Sequence, residues 1–86
     1  MEEQEGFGLD AERLTVYPNP NQGQFTIESQ WPGEFELLDA VGQVVDRFSL
    51  GAESGLSYEV KDLSSGVYFV RELHEHGGLK RVVVAQ

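Results

Sequence analysis

Residues 34 to 50 read Glu34-Phe35-Glu36-Leu37-Leu38-Asp39-Ala40-Val41-Gly42-Gln43-Val44-Val45-Asp46-Arg47-Phe48-Ser49-Leu50. Phe35 and Leu37 alternate with Glu34 and Glu36, the period of two expected of a strand with one face in a core and the other in water. Val44, Val45, Phe48 and Leu50 resume the apolar pattern after a gap that is rich in turn formers. Within the gap, Asp39 stands where a side chain can bond the backbone two residues on, and Gly42 stands at the fourth position of a type I turn. The stretch therefore predicts a β-hairpin turning over Asp39-Ala40-Val41-Gly42.

The same grammar extends in both directions. Upstream, Leu14, Val16 and Tyr17 lead into Pro18, and Phe25 and Ile27 alternate with Thr26 and Glu28. Downstream, Leu56, Tyr58 and Val60 alternate with Ser57 and Glu59, and Asp62-Leu63-Ser64-Ser65-Gly66 turns the chain into Val67-Tyr68-Phe69-Val70. That run is apolar on both faces, which predicts a strand covered on both sides and the most central of its sheet. His74-Glu75-His76-Gly77-Gly78 reads as a further hairpin loop, and Val82-Val83-Val84 as a final strand. About seven short strands punctuated by Gly, Pro, Asn, Asp and Ser predict an all-β, immunoglobulin-like antiparallel β-sandwich. No window carries an apolar stripe at helical spacing, so no helix longer than a single turn is expected.

Composition sets the outer limits. A chain of 86 residues has room for one domain, and its 40% apolar content, with five Phe, three Tyr and one Trp, supplies one modest core. Residues 1–12 are acidic and carry Gly6 and Gly8, the pattern of a flexible leader, which leaves residues 13–86 for the sandwich. The net charge of -9 opposes binding to nucleic acid or to anionic membranes. With no cysteine there is no disulfide, thiolate metal site or thiol nucleophile. No stretch approaches the roughly 20 apolar residues of a membrane-spanning helix, and direct membrane insertion is not expected. The acidic Met-Glu-Glu-Gln-Glu start is no signal peptide. A role outside the cytoplasm therefore implies a longer precursor with its signal peptide upstream of residue 1.

Tyr17-Pro18-Asn19-Pro20, followed by Gly23, is the most distinctive short stretch. Two prolines fix φ, remove two backbone donors and bias Tyr17 and Asn19 to extended conformations, so a rigid corner is expected. Taken alone this is only a stiff loop between sheets. Its order with three other features carries more: Leu38-Asp39-Ala40-Val41-Gly42 with Val44-Val45, Leu63-Ser64-Ser65-Gly66-Val67-Tyr68, and Lys80 ahead of an apolar run at the C-terminus. This ordered set resembles the C-terminal sorting domain of cargo proteins of the type IX (Por) secretion system, and the resemblance covers residues 14 to 86.

The resemblance implies an address rather than an activity. Such domains end enzymes and adhesins of Bacteroidetes-type bacteria. They are recognised in the periplasm, and the cargo then crosses the outer membrane to the cell surface or the medium. The implied partners are outer-membrane shuttle and translocon proteins and a sortase-like cysteine protease that removes the domain. By the same resemblance the recognition signal maps to Lys80, Val82, Val83, Val84, Ala85 and Gln86. The family motif positions are Tyr17, Pro18, Asn19, Pro20, Gly23, Asp39, Gly42, Leu63, Gly66 and Tyr68. No catalytic residue, metal or cofactor is implied.

Physical reading of the terminal segment leaves two alternatives. A short β-branched strand at a sheet edge can add to a partner's sheet or be peeled away at low cost, whereas the valines can equally complete the core. Enzymatic candidates are thin. His74 and His76 fall on one face of a strand with Glu72 or Glu75 nearby, but a third ligand is not apparent and Gly77-Gly78 favours a solvated hairpin. Glu34 with Glu36 and Asp39 with Asp46 read as solvated faces rather than paired catalytic carboxylates. Ser54, Ser57, Ser64 and Ser65 lack a nucleophile elbow. Trp31, beside Pro32 and Gly33, is the residue on which an alternative rests, a non-catalytic accessory module of fibronectin-like or carbohydrate-binding type. The simpler expectation is that Trp31 covers one end of the core.

Overall fold

The computed structural model describes residues 14–51, 53, 55–73 and 78–85. Seven strands follow one another: β1 (Leu14–Tyr17), β2 (Phe25–Ser29), β3 (Gly33–Leu38), β4 (Val44–Leu50), β5 (Ser57–Val60), β6 (Gly66–Glu72) and β7 (Leu79–Val84). They form two antiparallel sheets, β1-β2-β5 and β4-β3-β6-β7. This is the expected sandwich, and β3 and β4 form the expected hairpin. The expected leader over residues 1–12 lies outside the described residues, as do Ser54, the loop positions His74, Glu75, His76 and Gly77, and Gln86.

Alternation decides what each strand buries. Leu14 and Val16 of β1, Phe25 and Ile27 of β2 and Val60 of β5 face Phe35, Leu37, Phe48, Leu50, Tyr68, Val70, Val82 and Val84 of the other sheet in one core. The β3–β4 hairpin turns where the sequence places it. Asp39 Oδ1 accepts from the Val41 N–H at 3.1 Å and the Gln43 N–H at 2.9 Å, and the Gly42 N–H donates to the Asp39 carbonyl at 3.0 Å. Gly42 has φ +89°, a conformation that a Cβ disfavours, so glycine is required there.

One flank of the sandwich is closed between β4 and β5. Phe48 and Tyr58 stack with ring centroids 4.2 Å apart, and the Tyr58 hydroxyl donates to Asp46 Oδ2 at 2.7 Å. That bond, followed by burial and the charge of Asp46, raises the Tyr58 phenol above its ordinary value. Asp46 thus accepts a bond that helps close this flank.

Four sequence expectations need correction. The β6 run is not covered on both sides: Val67 and Phe69 are half-buried on the outer face while Tyr68 and Val70 face the core, and β3 is as internal to the sheet as β6. Leu56 does not begin β5; it takes φ +63° in the preceding turn while still packing on the core. Glu36 is not solvated. It is only 5% exposed on the outer face, lying between Arg47 and Arg71 on the neighbouring strands. Trp31 does not cover the core and is 51% exposed in the β2–β3 connection, where Ser29 Oγ bonds its carbonyl and its N–H.

Candidate functional site

Antiparallel order places β1, β3, β5 and β7 with their C-terminal ends at one pole, where β2, β4 and β6 begin. The β1–β2, β3–β4 and β5–β6 connections and the end of β7 therefore share that pole. Three of the four sequence features singled out above lie in these connections, and the apolar run of the fourth ends at the same pole, with Lys80 near the start of β7.

The corner after β1 clasps the outer edge of β7. Asn19 Nδ2 donates to the Arg81 carbonyl at 2.9 Å, and Asn19 Oδ1 accepts from the Val83 N–H at 3.0 Å. Two residues on, the Asn21 N–H donates to the Val83 carbonyl at 3.0 Å, and the Asn21 carbonyl accepts from the Ala85 N–H at 2.7 Å. The last pair forms a short parallel bridge between Asn21 and Val84. Four backbone groups that would line an open sheet edge are thus paired. Only a side-chain amide offers a donor and an acceptor side by side, which gives Asn19 its chemical reason. Both X-Pro bonds of the corner are cis.

Asn21 is held in turn. It is 5% exposed, its Nδ2 donates to the Pro18 carbonyl at 3.1 Å, and its Oδ1 accepts from the Gly23 N–H at 2.9 Å. Gly23 adopts φ +109°, and its carbonyl accepts from the Leu63 N–H at 3.2 Å. That bond ties the corner to the third feature, the β5–β6 connection. There Leu63 packs on the core and the Tyr68 hydroxyl donates to the Ser64 carbonyl at 2.8 Å. A tyrosine that reaches back along its own chain is a known device for fixing a sandwich corner. Asp39, Val41, Gly66 and Tyr68 line a shallow hollow of about 220 Å³ between the second and third features.

Tyr17 belongs to the outer face of the three-stranded sheet rather than to the clasp. Its hydroxyl donates to Glu28 Oε2 at 2.6 Å, and this bond, with smaller contributions from burial and the Glu28 charge, raises its pKa. Tyr17, Pro18, Pro20, Asn21, Gln24 and Glu59 line a larger open hollow of about 610 Å³.

Within the terminal strand the alternatives divide by residue. Val82 and Val84, 0% and 3% exposed, complete the core. Lys80 shares their row and lies half-buried at its rim, Val83 is half-buried on the outer face, and Ala85 is exposed. The edge is not free for strand addition along Arg81 to Ala85, because the corner already occupies it. The sequence reading missed this clasp; its only local trace is a second asparagine two residues after the first.

Among the described residues no cluster of His, Cys, Asp or Glu could hold a metal ion. At the motif pole the Asp39 carboxylate caps the β3–β4 hairpin. No helix among these residues is long and apolar enough to cross a membrane.

A family model described as secretion system C-terminal sorting domain matches residues 15–85. No curated protein and no solved structure matches the chain significantly.

Proposed function

Because the chain belongs to the secretion-system C-terminal sorting domain family and is a C-terminal sorting signal for the type IX secretion system, we propose that the motif pole with its clasped terminal strand is what the machinery reads. The family carries an address rather than a catalytic activity, and the cargo it serves is secreted or displayed at the cell surface. The proposal adds the finer steps. The domain, residues 13–86, is recognised in the periplasm by outer-membrane shuttle and translocon components. A sortase-like cysteine protease then cuts within or ahead of the acidic leader of residues 1–12.

One observation carries the reading. Three motif features far apart in sequence, the corner after β1, the β5–β6 connection and the end of β7, are tied at one pole by the Asn19 and Asn21 bonds to β7 and the Gly23 bond to Leu63, and the β3–β4 hairpin lies at the same pole. β1 starts at the opposite pole, where Leu14 pairs with Ser29. A cargo attached upstream of β1 therefore leaves from the end that the signal does not use. Recognition and carriage need not compete for the same surface.

The test is export of a periplasm-targeted fluorescent reporter fused to residues 1–86 in a bacterium with a type IX system. It is compared with the same fusion carrying Lys80→Gln and Ala85→Asp, neither of which is a core residue. Far-UV circular dichroism checks the fold. Export of the unaltered fusion and periplasmic retention of a folded double variant support recognition through the terminal segment. Retention of the unaltered fusion rejects the reading.

Trp31 favours a second reading, since a half-exposed indole on a loop can stack on a sugar ring. A glycan-binding assay with Trp31→Ala decides whether it serves as such a platform.

A further inference from the structure

The two outer faces of the sandwich differ in a way that the sorting assignment does not explain. In an antiparallel sheet with one face on the core, the other face normally presents polar side chains. The three-stranded sheet obeys: alternation puts Thr15 and Tyr17 of β1, Thr26 and Glu28 of β2, and Ser57 and Glu59 of β5 on its outer face. The four-stranded sheet does not. Opposite its core residues Phe35, Leu37, Val70 and Val82, register aligns Val44, Leu38, Phe69 and Arg81 in one row across all four strands. Val67 and Val83 form the next row.

Leu38 is 6% exposed yet lies outside the core cluster, so its burial comes from its outer-face neighbours. Val44 is 46% and Leu79 55% exposed, and the patch runs on to Val41 at the motif pole, 78% exposed. A charged row, Arg47-Glu36-Arg71 with Leu79, borders it, and Arg81 closes the apolar row on β7. Arg47, Arg71 and Arg81 share this face, half of the six Lys and Arg in a chain of net charge -9. An apolar patch of this extent, with arginines and the glutamates Glu34 and Glu36 beside it, marks an interaction surface rather than a wholly solvated sheet.

We propose that the outer face of β4-β3-β6-β7 is a docking surface for a protein partner with an aliphatic centre and a carboxylate rim, belonging to the secretion machinery. This rests on the sorting reading and deepens it. Charge complementarity sets the rim: Arg81 has no ion pair among the described residues, and the Arg47 and Arg71 side chains, though bonded to Glu36, stay 66% and 47% exposed. Continuity with the motif pole sets the location, because β7 sends Val82 and Val84 inward while Leu79, Arg81 and Val83 face out. The terminal strand is thereby read from its outer side, without being peeled from the sheet.

The experiment exports three reporter fusions in a type IX bacterium: the unaltered domain, a face variant (Val44→Asp, Leu79→Asp, Arg81→Glu) and a control of similar added charge on the other sheet and just beyond its β5 strand (Thr15→Asp, Lys61→Glu). Loss of a central interface patch is expected to cut export about tenfold or more, with the control near the unaltered level and all three folded. If the face variant does not fold, the milder pair Leu79→Asn and Arg81→Gln decides, with a loss of export expected and unchanged export overturning the proposal. A folded face variant exported like the control overturns it. If sizing shows the unaltered domain to be a dimer that the face variant dissolves, a second copy covers this face and the proposal fails. Failure of the unaltered fusion to be exported rejects the sorting reading itself, and this surface with it.

Discussion

Asn19 is 62 residues from Arg81, yet its amide closes the edge of the last strand through one donated and one accepted bond. Each such bond is worth about 0.5–1.5 kcal/mol net, so Asn19→Ala is expected to destabilise the domain by about 1–2 kcal/mol. For a domain of this size that lowers Tm by about 5–15 °C. Asn19→Asp should do no better, because a carboxylate cannot donate to the Arg81 carbonyl. Thermal unfolding measures the loss, and amide exchange locates it: the Val83 N–H should exchange faster in the variant, while core amides of β2 and β3 change only with global stability. Unchanged Val83 exchange would contradict the clasp.

Glu36 is the other residue whose role depends on distant neighbours. Its Oε2 accepts from Arg47 Nε at 3.0 Å and Nη2 at 2.6 Å, and its Oε1 accepts from Arg71 Nη2. The bond from Arg71 holds the carboxyl below its ordinary value most strongly; burial opposes this, and the bond from Arg47 and both positive charges reinforce it. A folded-state pKa below the unfolded one contributes stability above the unfolded value that is lost as pH falls through the folded value. The unaltered domain should therefore lose stability on acidification through and below the ordinary glutamate range. Glu36→Gln should be less stable at neutral pH and flatter over that window. Urea titrations between pH 7 and pH 3 give both slopes, and parallel slopes would remove Glu36 from the account.

At the scale of elements, β7 cannot be separated from the fold. Val82 and Val84 lie in the core, and β7 pairs with β6 over six residues from Leu79 to Val84. A domain of this length has about 4–13 kcal/mol of stability, and each large core deletion costs about 2–5 kcal/mol. Truncation after Lys80 removes both valines and the clasp at once, so the shortened chain is expected to be unfolded by circular dichroism. A folded truncation product would show that β7 is an appendage. Most of the elements were legible in the sequence because alternation and turn chemistry are local: Phe35 and Leu37 announce β3, and Asp39 with Gly42 announces the hairpin. Glu36, Trp31 and the Asn19 clasp were not legible, since each depends on which strand lies beside it. A Glu between Phe and Leu looks solvated until two arginines arrive from neighbouring strands.

Across the whole molecule the charges are unbalanced, with 15 Asp and Glu against 6 Lys and Arg, and half of the cations lie on one outer face. Two electrostatic effects oppose each other on folding. The compact state concentrates like charges and repels itself, while the Arg47–Glu36–Arg71 cluster attracts at contact distance. Salt weakens both, but not equally: raising it from about 0.01 M to about 0.1 M shortens the screening length from about 30 Å to about 10 Å, which removes repulsion across the domain and leaves close, partly buried pairs less affected. The net expectation is a Tm that rises by a few degrees over that range at pH 7. Glu36→Gln, which lacks the attractive cluster, should show at least as large a rise. A Tm that falls with salt in the unaltered domain but not in the variant would mean that the cluster outweighs the self-repulsion of the acidic surface.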